Sequence, residues 1–439
     1  MTDRRGVHGA ANASRAAGGL DHAITAMFFV GLAGIAWLSV FGHRGIAPCL
    51  GFMGLIAAFR ADVWRDGLAL LTPVRLAADP LARAFAALVV FSLWIAISGA
   101  WSPKGGAPSL AAGVLAAPLV AGALAHEIRH RNIRWRRMMA TVFVGAIWLA
   151  SFALCVEAFT GGFLRSIVPP EDLSPLRWKD MTALGRGVTA ITPAVFPAMV
   201  MLRILSKSWA PAVVLFVVIL FAASGFSISA NVIALCTGAA AFAAALRFPR
   251  AMVIATGIIF LTLIIFAPVW ALVPREALLA GEGPALPASW LQRVIIWQGA
   301  ASQALSHCLP FGCGADYARV WHESAAEIAM PGSPIPLSEM PTHPHNLFLQ
   351  VWLELGIVGV LSLAALCVFG VRAALNFVQL GGAMAAAAMT GAAAAICLSF
   401  QVETSLWQVW RLAAIALAVL GVALSYSINY NAVESRRFD

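Results

Sequence analysis

AMVIATGIIFLTLIIFAPVWALVP, residues 251–274, runs for 24 residues without a charged side chain. As a helix it would be about 36 Å long at about 1.5 Å per residue, enough to cross the roughly 30 Å hydrocarbon core of a bilayer. Eleven other stretches have the same character: 24–42, 46–59, 84–101, 107–125, 138–158, 187–205, 210–225, 226–246, 345–371, 380–400 and 405–428. The second is short, and 210–246 admits a different division. The 439 residues are 61% hydrophobic and 11% charged, with a mean hydropathy of +0.85. Soluble domains carry about 25% charged residues, so this composition excludes them. No segment alternates in the two-residue rhythm of a membrane barrel. The fold class is an all-α polytopic membrane protein of about twelve transmembrane helices.

Orientation follows from the arginines. The first span is too long for a signal-peptide core and no A-x-A site follows it, so it is expected to be retained. With Arg4, Arg5 and Arg15 on the cytoplasmic side, every second connection should be basic. Arg60, Arg65, Arg75 and Arg83 come next, then five arginines from Arg129 to Arg137 in HEIRHRNIRWRRM, then Arg203 with Lys207. Arg247 with Arg250, Arg372, and Arg436 with Arg437 continue in phase. The net charge of +9 is therefore a topology signal and does not indicate nucleic-acid binding. Five cysteines lie in or beside spans as apolar fillers, while Cys308 and Cys313 share the outer side and could form a disulfide there. No Cys/His spacing resembles a zinc site, and no metal ligand is expected.

The chain divides into 1–274, with nine spans and a short outer loop at 159–186, a large outer loop at 275–344, and 345–439, with three spans and an inner C-terminus. A loop as long as 275–344 is usually functional. Within it PASWLQRVIIWQGAASQAL has helical spacing with Ser289 as an N-cap, LPFGCGADY is a turn, and MPGSPIPLSEMPTHPH is proline-rich and non-helical. Trp101, Trp270, Trp407 and Trp410 stand near span ends as expected interface anchors. GGAMAAAAMTGAAAA at 381–395 reads as a small-residue face for close helix packing.

PTHPHNLFLQVWLELGIVG, residues 341–359, concentrates the polar chemistry. In a helix beginning near His345, Asn346, Gln350 and Glu354 share one face and are expected to line an outward-opening cavity. Glu354 needs a partner, and Arg411 lies at a similar depth; such a pair reads as structural. Arg186 and Arg293 stand at comparable outer positions, where a guanidinium binds phosphate in a bidentate fork or simply snorkels to the interface. The large loop carries three arginines (Arg275, Arg293, Arg319) against six acids (Glu276, Glu282, Asp316, Glu323, Glu327, Glu339), so an anion site there must be local.

HNLFLQVWLELGIVG resembles the signature of bacterial O-antigen ligases and their polymerase relatives. LGRGVTAITP at 184–193, RVIIWQGA with LPFGCGADY in the large loop, and SGAWSP at 98–103 resemble further family segments in the same order. The resemblance covers nearly the whole chain and implies a GT-C-like arrangement. It makes His345 the essential histidine and Arg186 and Arg293 the essential arginines, with Asn346, Gln350, Glu354 and Arg411 supporting. His343 has no counterpart and reads as a loop histidine. Relatives often carry an arginine at the outer end of a middle span, where this chain reads ASGFSISAN at 223–231.

The resemblance implies transfer of polysaccharide from an undecaprenyl-diphosphate donor to a sugar hydroxyl of the lipid A–core acceptor, at the periplasmic face of a Gram-negative inner membrane. Arg186 and Arg293 would hold the diphosphate, and His345 would act as general base or as a diphosphate ligand. No D-x-D cluster lies on the outer side, so a metal-independent reaction without cofactor is expected. The chain is expected to be a monomer embedded in membrane lipid. Alternatives are an O-antigen polymerase, a protein O-oligosaccharyltransferase with the same donor, and a transporter, which the outer position of the polar residues disfavours.

Overall fold

The computed structural model describes residues 4–167, 177–226, 228–272, 287–329 and 336–435. Arg275, Glu276 and Glu282 of the large loop, its 330–335 stretch, and Arg436 with Arg437 lie outside the described residues. The helices are α1 (Arg4–Phe41), α2 (Ile46–Ala57), α3 (Ala61–Ala69), α4 (Pro73–Ala78), α5 (Pro80–Ser98), α6 (Ala107–His130), α7 (Ile133–Thr160) and α8 (Phe163–Ile167). They continue with α9 (Arg177–Ser206), α10 (Ala210–Gly225), α11 (Ser229–Arg247), α12 (Pro249–Ala271), α13 (Ala288–Ser306), α14 (Tyr317–Ser324), α15 (Leu347–Val402) and α16 (Val409–Ser435). Two-residue strands β1 (Glu327–Ile328) and β2 (Leu337–Ser338) pair antiparallel.

The chain is an all-α polytopic membrane protein. Nine helices among the described residues are long and apolar enough to cross a membrane. They cover ten of the twelve expected stretches, because α15 holds two. Straight, its 56 residues would be about 84 Å long. Gly356 (φ 62°, ψ −157°) and Gly382 (φ 65°, ψ −158°) divide it in backbone conformations that only glycine adopts readily. The remaining two stretches are α10, with 16 residues, and α2, whose segment meets α3 at 99°.

Packing places α9 at the centre. Of its apolar window 83% is buried within the protein, against 33% for α6 and α12, whose outer faces are left for lipid. The small residues of α15 serve the close packing expected of them: Ala385 to Ala388 are buried, and Gly391 receives the Phe196 ring of α9.

Three expectations are corrected. The first segment of α15 does not continue down a span, because it ends at Gly356. Ser289 lies inside the first turn of α13, whose N-cap is Pro287. Of the four tryptophans, Trp270 alone remains an exposed anchor without a described hydrogen bond. Trp101 donates to the Gly312 carbonyl (3.0 Å), Trp407 donates to Glu354 (2.8 Å), and Trp410 is buried beneath Arg411.

Candidate functional site

The polar stripe of α15 fastens the scaffold. Asn346 caps the helix by accepting from the Phe348 and Leu349 amides (3.0 and 3.1 Å) and donates to Gln401 (2.6 Å). Gln350 accepts from the Leu406 amide (2.9 Å). Glu354 is fully buried, and both of its oxygens are taken. Oε2 accepts from the Asp316 amide and Trp407 Nε1, both at 2.8 Å; Oε1 accepts from Gln350 (3.1 Å) and the Ala318 amide (3.3 Å). The stripe therefore faces protein and not an outward-opening cavity.

The expected Glu354–Arg411 pair does not form. Arg411 instead contacts Glu403 (3.3 Å), Gln408 (2.7 Å) and Ser399 (2.7 Å). The helix that carries Glu354 breaks two residues later, at Gly356. The turn 309–317 fits into the break. The Cys313 and Gly314 amides donate to the Leu353 and Glu354 carbonyls (2.9 and 3.0 Å), and the Ile357 amide donates to the Pro310 carbonyl (2.8 Å). A Cβ on Gly356 would collide with the Pro310 carbonyl. Cys308 and Cys313 are joined by a disulfide within this turn. From the other side, Ser102 donates to the Ala315 carbonyl (2.6 Å) and Ser98 accepts from the Ala315 amide (3.2 Å). SGAWSP, LPFGCGADY and WLELG thus form one hydrogen-bonded knot that anchors the helix following His345.

Arg186 is presented by its neighbours. A Cβ on Gly187 would overlap the Ser39 carbonyl of α1, and one on Gly185 would meet Ile228. The glycines let α9 lie against both neighbours, while the Gly185 carbonyl accepts from Asn231 (2.8 Å). Arg186 remains exposed, with no hydrogen bond to any described residue. The segment 223–231, which lacks the arginine of relatives, is the one packed here.

Arg293 comes from α13. Its Nε donates to the Val402 carbonyl (2.9 Å), Nη1 to the Ser289 carbonyl (3.2 Å), and its guanidinium lies over Trp290 (5.3 Å). Nη2 has no described protein partner. Burial lowers its affinity for its proton and Glu403 opposes this, so both act on one site.

His345 has φ +55°, a left-handed conformation for which histidine is enriched among non-glycine residues. It turns the chain between Pro344 and the N-cap, and its ring lies 4.4 Å from that of His343. Burial lowers the His345 pKa well below the ordinary value, and His343, Arg293, Arg411 and Arg186 push in the same direction. His343 is lowered to about 4 by burial first, then by Arg411; the Glu403 backbone opposes this, and Arg319 and Arg186 add to it. Its Nε2 is buried without a partner. Arg293 donates to Val402 while Asn346, next to His345, donates to Gln401, so the structure brings Arg293 and the His345 turn to one segment; Arg186 reaches His345 from α9 only through its charge. The structure adds His343, Glu403 and His43, the last T-stacked on Trp410 at 4.8 Å. His343 could have been found from its place two residues before His345. Nothing in the local sequence marks Glu403 or His43.

Chemically, Arg293, Arg411 and Glu403 beside the His343–His345 turn form a set suited to an anion. Below it, a cleft of about 30 Å³ between α9, α11, α15 and α16 has Asn231, Ser399, Glu403 and Arg411 in its wall. That space suits a water or two.

Residues 211–364 match a family model described as O-antigen ligase. The matched interval contains Arg293, His343, His345 and Glu354, whereas Arg186, Glu403 and Arg411 lie outside it. No curated protein matches the chain.

Proposed function

We propose, for this member of the O-antigen ligase/polymerase superfamily, that it transfers a polysaccharide from undecaprenyl diphosphate to a sugar hydroxyl of lipid A–core. The reaction belongs at the periplasmic face of the inner membrane. The observation that carries this reading is that Arg293, Arg411 and the N-cap next to His345 all bond one segment, 399–411, through Val402, Glu403 and Gln401.

The acceptor oxygen attacks the anomeric carbon while the bond from that carbon to the diphosphate oxygen breaks. The bonding pair leaves with the diphosphate. Arg186 and Nη2 of Arg293 supply positive charge where it accumulates, the electrostatic contribution that usually dominates. The neutral imidazole of His345 takes the hydroxyl proton. An arriving diphosphate offsets the arginine charges and raises the His345 proton affinity, so donor binding improves the base. Beside Arg293, Trp290 donates to Ser229 (3.1 Å), which lines an open groove with Ala223, Phe226, Val232 and Ile233. This groove is assigned to the apolar carrier chain.

Purified protein should be given one defined lipid-linked donor and, in parallel, lipid A–core, a second lipid-linked repeat, or a serine-containing protein. Product on lipid A–core alone supports the ligase. Product on either other acceptor alone transfers the assignment to a polymerase or a protein oligosaccharyltransferase.

A further inference from the structure

At the opposite, arginine-rich end, Asp62 of α3 meets His126 and His130 of α6, with one ligand atom of each inside a 4.8 Å sphere of mutual distances. The separation from Ala107, at the site end of α6, to His126 is on the order of 30 Å. His126 and His130 are four residues apart on one helix, so both rings project from one face, in the spacing that lets two histidines share a metal.

The distances within the cluster point to a cation. His126 Nε2 lies 3.4 Å from Asp62 Oδ2. Two ligands about 2.0 Å from a tetrahedral zinc ion are about 3.3 Å apart, so these atoms already span one edge of the polyhedron. His126 Nε2 is buried and makes no hydrogen bond. The groups behind these ligands are also in place. Asp66 Oδ2 lies 3.7 Å from His126 Nδ1, the carboxylate position that orients a metal-bound imidazole. Arg60 Nε lies 3.5 Å from Asp62 Oδ1, leaving Oδ2 for the ion. His130 is exposed and free to swing inward, its ring 4.4 Å from that of His126.

We propose that Asp62, His126 and His130 bind one divalent cation of the zinc class, with water in the fourth position. The ion clamps α3 across the end of α6. α3 turns 99° from the preceding helical segment and exposes Trp64 and Leu68, as a helix lying in a membrane interface does. The surrounding sequence His126-Glu127-Ile128-Arg129-His130 has the form of a metalloprotease motif, but its glutamate is not available as a base. Glu127 is fully buried, bound by Arg131 and 3.6 Å from Arg60. The site therefore binds and does not hydrolyse. The expectation of no metal spacing overlooked this His-x-x-x-His pair, which stands in the sequence itself. This inference does not depend on the proposed transferase activity.

The test is a zinc titration of the full-length chain, tag removed and chelator-treated, in competition with a chromophoric zinc indicator. One zinc per chain is expected for the wild type. His130→Gln, an exposed change that leaves the core intact, should lose the site. Asp66→Asn should weaken it 10- to 100-fold. His343→Ala/His345→Ala should leave it unchanged. Coincident titrations of wild type and His130→Gln, or loss of zinc only in the His343/His345 variant, would overturn the proposal.

Discussion

Glu354→Gln tests whether the fully buried acid of α15 holds the scaffold or serves the reaction. All four of its partners are donors, two on each oxygen. A glutamine amide keeps one acceptor and turns an NH₂ group toward two N–H donors, whichever way it is oriented. Each buried donor left without an acceptor costs about 1–3 kcal/mol, so the change should remove roughly 2–6 kcal/mol. With an unfolding entropy of about 2.1 cal/mol/K per residue, 439 residues correspond to about 0.9 kcal/mol per degree. The melting temperature should therefore fall by roughly 2–6 °C. The assay is thermal unfolding of detergent-purified protein followed by tryptophan fluorescence, because Trp407 reports on the carboxylate directly. Activity should fall in step with the folded fraction. A variant that melts with the wild type but forms no product would refute the reasoning, since the carboxylate would then act on substrate.

Three other outcomes follow from the same geometry. Gly187→Val must displace α1 or α9 and should destabilise by about 1–3 kcal/mol while moving Arg186, whereas Gly145→Ala, with open space around it, should match wild type in both melting and turnover. Arg186→Lys keeps the charge but loses the fork; turnover should fall at least tenfold with unchanged melting, and full activity would make Arg186 a mere anchor. The pH profile follows from the lowered histidines. Both imidazoles are held below 6.5, His343 at about 4, so kcat/KM should hold as pH falls through 6.5. An acid limb at 6.5 in kcat/KM would contradict the electrostatics, whereas a higher limb in kcat is expected once diphosphate is bound. Because the unfolded chain takes up these protons first, stability should also fall between pH 6.5 and about 4.

Membrane spans were legible because apolar length is a property of single segments. The stretches 251–274 and 138–158 needed no tertiary information, and even the short α2 and α10 appeared near their boundaries. The motifs around Arg186, Arg293 and His345 singled these residues out as candidates but did not tell how they are held. The partner of Glu354 was not legible. Its donors are two backbone amides of the large loop, a glutamine and a tryptophan, and pattern reading searches for an opposite charge. Trp101 and Trp407 were misread for a related reason: a tryptophan near a span end looks the same in sequence whether its N–H meets a headgroup or a protein acceptor. The Asp62–His126–His130 cluster was hidden among arginines that explained the segment sufficiently as a topology signal.

The most direct test of the central claim compares wild type with His345→Ala, matched for melting temperature, in transfer from a defined undecaprenyl-diphosphate glycan to lipid A–core. A general base contributes about 10²–10⁴ in rate, so product from wild type and at least a hundredfold loss in the variant is the predicted result. Equal product from both proteins would contradict it and leave His345 a structural residue.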